Sequence, residues 1–290
     1  QALFADAEFQ SIVTGHCAAD RALLLGYLAQ RGLSAGVTRV GIVDIGWRGT
    51  IQDNLAHLLP GHTLYGHYLG LARVLNEQPA NCRKYAFGPD LNKQVEASHL
   101  LDAVAPLEML SNSPHGSTEG YRRNAEGRVE ARRLVDQDEN AVHEQYVSHF
   151  QAGVLHAAQA WAEYIDNHAV SSAELRPQAL AIWHALVAQT PDDLFQAYNA
   201  LNHNEVFGVG QFVEQSSVPS VGVVLRAPFV RRDRHSLIQY IRQSQWATGL
   251  KKRTDLNPMH KALLTTAISA GKVYKYMRVR WQHHQAKRGK

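Results

Sequence analysis

An α/β fold is the class this sequence predicts: a partial parallel three-layer (Rossmann-like) sheet, followed by a mostly helical region. Three observations lead there. Val37–Ile45 is rich in β-branched residues and poor in charge, the mark of a buried strand in a parallel sheet. A helix-like run and a second apolar strand follow, making a strand–helix–strand unit whose default is a right-handed parallel crossover. From residue 137 onward, apolar residues recur at threes and fours, the period of a helix.

Taken in order, residues 3–35 read as helical, and the run Arg21–Gln30 stops at Arg31-Gly32 with the glycine as its cap. The first strand spans 37–45. Thr50–Leu59 is a helix stopped by Pro60-Gly61, and Thr63–Leu71 is the second strand. A short strand is expected at 84–88 and a helix at Ser98–Leu110, followed by a polar loop, Ser111–Tyr121. Gln137–His168 is a long helix carrying Val142, Tyr146, Phe150, Val154, Ala158, Trp161 and Ile165 on one face, and Trp161 and Trp183 are expected in the core. Helices continue at 173–189 and 191–203, Phe207–Val224 reads as a Gly- and Ser-rich loop, and helices resume near Ser236 and at Pro258–Trp281. Two or three strands are too few for a doubly wound sheet of about five or six. The expected organisation is therefore an α/β domain over 1–125, the back half of a larger domain; a helical region over 126–225; and a basic helical tail over 226–290.

Hydrophobic residues make up 45% of the 290 and charged residues 19%, which excludes wholesale disorder. No apolar run is long enough to span a bilayer, and Gln1–Gln10 lacks the pattern of a signal peptide. A piece of a longer cytoplasmic protein is expected, with Cys17 and Cys82 as buried free thiols. The net charge of +4 hides an asymmetry. Residues 226–290 hold 16 Lys and Arg against two acids, whereas 1–225 hold 14 basic and 24 acidic residues. Such a tail seeks an anionic partner or a salt-bridged face on the acidic body.

Val43-Asp44-Ile45-Gly46-Trp47-Arg48-Gly49-Thr50 lies where a strand ends and a helix begins, the place where open α/β sheets bind ligands. Helix N–H groups there suit a phosphate. Gly46 and Gly49 let the backbone approach it, Thr50 donates a hydroxyl, and Arg48 clamps it. Asp44 accepts from sugar hydroxyls or holds a diphosphate through Mg2+. The alternative is a plain tight turn with Thr50 as N-cap. In the second candidate, Ser113–Tyr121, Gly116, Ser117 and Thr118 form an anion-binding nest while His115 and Glu119 serve as acid–base groups or ribose contacts. The alternative there is a loop of turn-forming residues. Asp44, His115 and Glu119 are the candidate catalytic groups, and no metal site is expected from the protein's own ligands. No H-E-x-x-H, G-x-S-x-G, Walker A or G-x-G-x-x-G motif occurs, which removes the zinc-protease, serine-hydrolase, P-loop and dinucleotide readings.

In the tail, Met259, Leu263, Ala267, Ala270, Val273, Tyr274, Met277 and Trp281 fall on one helical arc, with Lys261, Lys272 and Lys275 roughly opposite. A cationic amphipathic helix over 258–281 fits an anionic membrane surface. The alternative is a terminal helix docked on its own domain with its basic face in water. Nucleic acid ranks lower, because the aromatic residues lie away from the lysines.

At Val43–Gln52 and Tyr65–Leu71, and again at Ser113–Tyr121 and Phe207–Ser220, the sequence resembles a bacterial family of predicted hydrolases of the HAD superfamily, associated with cell-surface polysaccharide synthesis and sometimes fused to glycosyltransferases. The likeness spans most of residues 20–225. The D-x-D-type nucleophile motif of that superfamily is absent here; in the family it lies in an upstream domain. A looser likeness is to type I phosphoribosyltransferases, with Asp44 matching one acid of the diphosphate-sugar loop and Gly49-Thr50 its phosphate turn, but with Ile45 where a second acid is common. The resemblance implies a cytoplasmic module, peripheral at the inner membrane, of a hydrolase or transferase that acts on a sugar phosphate or nucleotide sugar in envelope polysaccharide synthesis. The rival expectations are a phosphoribosyltransferase-like or glycosyltransferase domain, and a non-catalytic module that holds a glycosyltransferase at the membrane.

Overall fold

The computed structural model describes residues 2–33, 36–95, 97–111, 113–135, 137–200, 203–204, 212–213, 218–244 and 246–288. Most of the run 207–220 that carries part of the family resemblance lies outside them. The chain starts with α1 (Ala2–Ala5) and α2 (Ala7–Gln30). The Asp6 side chain caps α2 by accepting the Phe9 N–H at 2.8 Å. At the far end Gly32, at φ +96°, turns the chain out of the helix, as the sequence predicts. No side chain of α2 is fully buried. Cys17 is exposed, which corrects the expectation of two buried thiols; Cys82 alone is buried, and burial pushes its pKa up.

The centre of the α/β part is β1 (Arg39–Asp44), α3 (Thr50–Leu58), β2 (Thr63–Tyr68) and β3 (Cys82–Ala86). The three strands form one parallel sheet in the order β1-β2-β3, with Val40 opposite Leu64 and Leu64 opposite Cys82. Alternate residues of β1 and β2 turn Val40, Ile42 and Leu64 toward Ala56 and Leu55 of α3. One polar side chain is locked into this layer. Gln52 of α3 is fully buried; its Nε2 donates to Leu64 O at 2.9 Å and Arg83 O at 3.1 Å, and its Oε1 accepts from the Tyr68 hydroxyl at 2.7 Å. The other face is open. Val43 is 90% exposed, and Gly41, His67, Arg83 and Tyr85 stand exposed beside it. Purely parallel sheets are ordinarily covered on both faces, but the described residues supply a layer on one.

Ser98–Leu110, expected as one helix, is broken into a 3-10 turn (Ser98–Asp102) and a single turn of α4 (Ala105–Glu108). Between them Ala103 pairs with Trp246, and Pro106 has no N–H to continue the ladder. The expected polar loop ends in a strand. β4 (Thr118–Arg123) and β5 (Val129–Arg133) form an antiparallel hairpin turned by Asn124–Gly127, with Gly127 at φ +74° and the Asn124 side chain accepting the Arg128 N–H. This hairpin straddles residue 125, the expected domain boundary, and packs on α2: Tyr121 lies against Tyr27, and the Gln30 side chain makes two hydrogen bonds with the Val129 backbone.

The long helical run is present as α5 (Gln137–Val142), a π turn (His143–Val147) and α6 (Ser148–His168). Its expected apolar face is not a core face. Trp161 is 48% exposed and α6 buries no residue fully, which corrects the core assignment of Trp161. Trp183 is buried as expected, on α7 (Ser172–Gln189), which opens with a capping box between Ser171 and Glu174. α8 (Asp192–Ala200) follows, then the short pair β6 (His203–Asn204) and β7 (Phe212–Val213). The main core joins all three expected regions: Leu100, Leu107, Trp183, Val187, Phe195, Tyr198 and Trp246, with Trp47 and Leu69 packed against them.

α9 (Val221–Arg226), α10 (Arg231–Gln243), a 3-10 turn (Ala247–Lys252) and α11 (Pro258–Arg288) complete the chain; α9 corrects the expectation of a loop up to Val224. Val224, Leu237, Tyr240, Leu250, Leu256, Leu264 and Ile268 form their own cluster. The Arg253 guanidinium beside this cluster makes a two-pronged pair with Asp255, at 2.9 and 2.8 Å, which holds the Asp255 carboxyl below its ordinary range. A lowered native pKa means stability present above the unfolded value and lost as pH falls through the native one. Asp255→Asn is therefore expected to lower the Tm by a constant amount between about pH 5 and pH 8, a difference that shrinks below about pH 4; thermal melts across that range check it.

Candidate functional site

The β1–α3 turn sits at the carboxyl end of β1, where the sequence places a phosphate site. Its groups are largely occupied with holding the turn. Asp44 Oδ1 accepts the Gly46 N–H at 3.2 Å, and the Arg48 guanidinium donates to Arg73 O at 2.8 Å. The Trp47 indole N–H donates to Glu108 at 2.9 Å, and its ring packs against the main core. Gly46, at φ +144°, lies so close to the neighbouring strand that a Cβ would stand 2.3 Å from Gly70 O. Gly46→Ala is accordingly expected to cost about 1–3 kcal/mol from the backbone conformation alone, with a lower urea midpoint as the readout.

Gly49, in the left-handed region at φ +70°, is the N-cap of α3, which corrects the placing of Thr50 there; Thr50 is the first helical residue and is exposed. A glycine cap supplies no side-chain oxygen, so the first N–H groups of α3 have no side-chain cap. Beside them is a cation that sequence reasoning missed. Lys84 of β3, its side chain 9% exposed, pairs with Asp53 at 2.7 Å and donates to Gln78 Oε1 at 2.6 Å and Arg48 O at 3.1 Å. Only the parallel pairing of β3 with β2 brings it there, and local sequence carries no sign of that. Among the described residues no three His, Cys, Asp or Glu side chains converge on a metal site. A Mg2+ carried on a diphosphate would meet one carboxylate here, Asp44, which fits an ion that is held by one or two carboxylates and the phosphates themselves.

The second group belongs to the start of the β4–β5 hairpin. His115 is exposed, and its N–H donates to Ser113 Oγ at 3.3 Å. Gly116, at φ +70°, turns the chain against Leu134, and Ser117 O accepts the Leu134 N–H. Thr118 and Glu119 belong to β4 rather than to a loop, and Glu119 lies 3.8 Å from Arg132 across the hairpin. Among the described residues no hydrogen bond or ion pair joins 115–119 to 44–50. A cavity of about 530 Å³ lies elsewhere, between Leu69 and Phe87 of the sheet and α7, and neither group lines it.

α11 meets the docked expectation in its first half only. Leu263 and Ala267 of the expected arc pack against the body, together with His260, Leu264 and Ile268, and Ala270 is exposed. Beyond them Lys272 is half-buried rather than in water, and Lys275 is exposed. Lys275 pairs with Asp102, and burial near the same carboxylate pushes the Lys272 pKa down. The arc of Met259, Val273, Tyr274, Met277 and Trp281 faces solvent, each 57–64% exposed. Arg278 and Arg280 are exposed about 60–100° to either side of it at helical spacing.

No helix among the described residues is long and apolar enough to cross a membrane. The sequence matches no protein-family model and no curated protein. What the fold and geometry define is a mixed α/β, mostly helical protein with a small parallel sheet, one open sheet face and one basic helix that buries one apolar stripe and exposes another.

Proposed function

We propose that the chain is a non-catalytic interaction module of a bacterial envelope-polysaccharide enzyme, seated on the anionic cytoplasmic leaflet by the outer stripe of α11. The observation that carries this reading is the orientation of α11: Lys275 pairs with Asp102 and Lys272 is half-buried, while Tyr274, Met277 and Trp281 stand in water between two arginines. Exposed apolar and aromatic side chains with flanking cations suit the headgroup boundary, where the rings enter and the guanidinium groups stay with the phosphates. The open sheet face, with Val43 and the stacked His67 and Tyr85, is the surface for the catalytic partner. A layer laid there would complete the three-layer, Rossmann-like arrangement.

Co-sedimentation with vesicles tests the seat. The intact chain is expected to pellet with phosphatidylglycerol-containing vesicles at low salt, to be released as salt rises, and to stay in the supernatant with phosphatidylcholine alone. Equal pelleting with both vesicle types, or none with either, would remove the membrane from the account.

A second reading is favoured by the uncapped start of α3 beside Lys84: the turn takes the phosphate of a sugar phosphate or nucleotide sugar, with Thr50, Gly46, Gly49 and Arg48 around it and Asp44 on the sugar or a Mg2+–diphosphate. It needs no contribution from His115, Gly116, Ser117, Thr118 or Glu119. A ligand present at about 100 times its dissociation constant would raise stability by about 2.7 kcal/mol. A thermal-shift panel of nucleotide sugars, sugar phosphates and phosphoribosyl diphosphate reads this directly, and a flat panel at millimolar ligand would leave the turn as structure.

A further inference from the structure

The corner between α9 and α10 carries a patch that neither the core nor the outer stripe of α11 uses. Phe229 stands 89% exposed there, with Leu225, Val230 and Ile238 also in solvent. Its display is fixed by the turn. The Arg226 carbonyl accepts the N–H groups of both Phe229 and Val230, at 2.9 and 2.8 Å. The Arg226 guanidinium pairs with Asp233 at 2.7 Å, which ties the end of α9 to the first turn of α10. Val224, Ala227, Leu237 and Tyr240 of the same two helices and their link are buried and anchor the corner to the body.

The cations around Phe229 are left over. Asp233 is the single acid between Leu225 and Ser244, and it is occupied by Arg226. Arg231, Arg232, Arg234 and Arg242 are exposed, and none has a carboxylate partner among the described residues. At about 100° per residue, Arg231, Arg234, His235, Ile238 and Arg242 share one side of α10, opposite the buried Leu237 and Tyr240. Arg231, Arg232, Arg234, His235 and Ile238 line an open hollow of about 560 Å³.

We propose that this corner is a second contact with the anionic leaflet, in which Phe229 enters the headgroup boundary and the four arginines stay with the lipid phosphates. It rests on the reading that the chain sits on such a surface, but on different residues from the α11 stripe. Four cations without acids call for an anionic partner. The apolar side chains among them select lipid over nucleic acid: Phe229 could stack on a base, but Leu225, Val230 and Ile238 have no counterpart on a phosphate backbone, whereas a headgroup boundary takes both kinds of group.

Vesicle affinity of the full chain tests this, with phosphatidylglycerol-containing and pure phosphatidylcholine vesicles as the probes. Phe229→Ser should weaken binding to the anionic vesicles about tenfold and leave its salt dependence as it was. Arg231→Gln, Arg232→Gln and Arg234→Gln together should weaken it at least as much and flatten the salt dependence. All four side chains are exposed, so circular dichroism and Tm should not change. A nitrobenzoxadiazole label on a Cys17→Ser, Phe229→Cys chain should shift to the blue on the anionic vesicles alone. Corner variants that bind like the parent chain, or a label that stays in water while the chain pellets, overturn the corner and leave the α11 seat standing. Loss of binding in the corner variants, with a Tyr274→Ser, Met277→Ser, Trp281→Ser chain binding like the parent, supports the corner and removes the α11 seat. Single-stranded oligo-dT held by the parent chain and released by the arginine variant would give the surface to nucleic acid and overturn the proposal.

Discussion

Gln52→Leu is expected to destabilise the chain by about 3 kcal/mol or more, a large fraction of the roughly 5–15 kcal/mol that holds a domain together. Leucine fits the space approximately but removes three hydrogen bonds at once. The Tyr68 hydroxyl loses its acceptor and the Leu64 carbonyl a donor inside the buried layer, and the part-buried Arg83 carbonyl loses a donor beside it. Leaving buried polar groups unmatched costs more than the net value of the bonds. Burial and the nearby Asp44 and Asp53 carboxylates also hold the Tyr68 hydroxyl strongly in its protonated form, so it has no charged state to fall back on. Chemical denaturation measures the loss. Tyr68→Phe in the Gln52→Leu background should recover part of it, because it removes one orphaned group; no recovery would mean that the clamp is not what sets the stability of this layer.

Trp246→Ala is expected to cost about 3–5 kcal/mol. The indole is completely buried, meets Phe195 and Tyr198 edge-on, and shares a backbone bridge with Ala103. It is the point where the C-terminal segment enters the main core, so its loss empties a space between α8, the 3-10 turn at 98–102 and α7. Trp246→Phe should cost much less, since the indole N–H makes no hydrogen bond that the phenyl ring would forfeit. Urea midpoints of the two variants decide this, and equal losses would show that the nitrogen, not the volume, matters.

The strand–helix–strand unit was legible because its signals are local: a β-branched run, a Gly turn, a helix and Pro60-Gly61, all within 35 residues. The 118–133 hairpin was not, because its outer face is polar and its inner face needs α2, about a hundred residues earlier, to be seen as buried. The turn at 44–50 was legible as a turn, but not its commitments. Asp44 and Arg48 look available in the sequence; Asp44 is taken locally by the Gly46 N–H, whereas the partners of Arg48 and Trp47, Arg73 and Glu108, become apparent only in the fold. α11 shows a different limit. Its periodicity defines two stripes, and each includes apolar residues; Leu264 and Ile268 on one, Met277 and Trp281 on the other. Which stripe packs inward depends on distant partners, the apolar cluster of α9 and α10 that takes Leu264 and Ile268, with Asp102 pairing Lys275 farther along.

The outward stripe of α11 makes the membrane seat, and altering each of its two faces in turn tests that most directly. Two variants are compared for vesicle binding and thermal stability: one with Tyr274, Met277 and Trp281 replaced by serine, the other with Lys272 and Lys275 replaced by glutamine. The serine variant should lose phosphatidylglycerol-vesicle binding and keep its Tm, whereas the glutamine variant should keep binding and melt earlier as the Asp102 carboxylate loses its partner. Binding lost in the glutamine variant with an unchanged Tm, and retained in the serine variant, would contradict the account, because the lysines would then face the lipid and the apolar stripe would not.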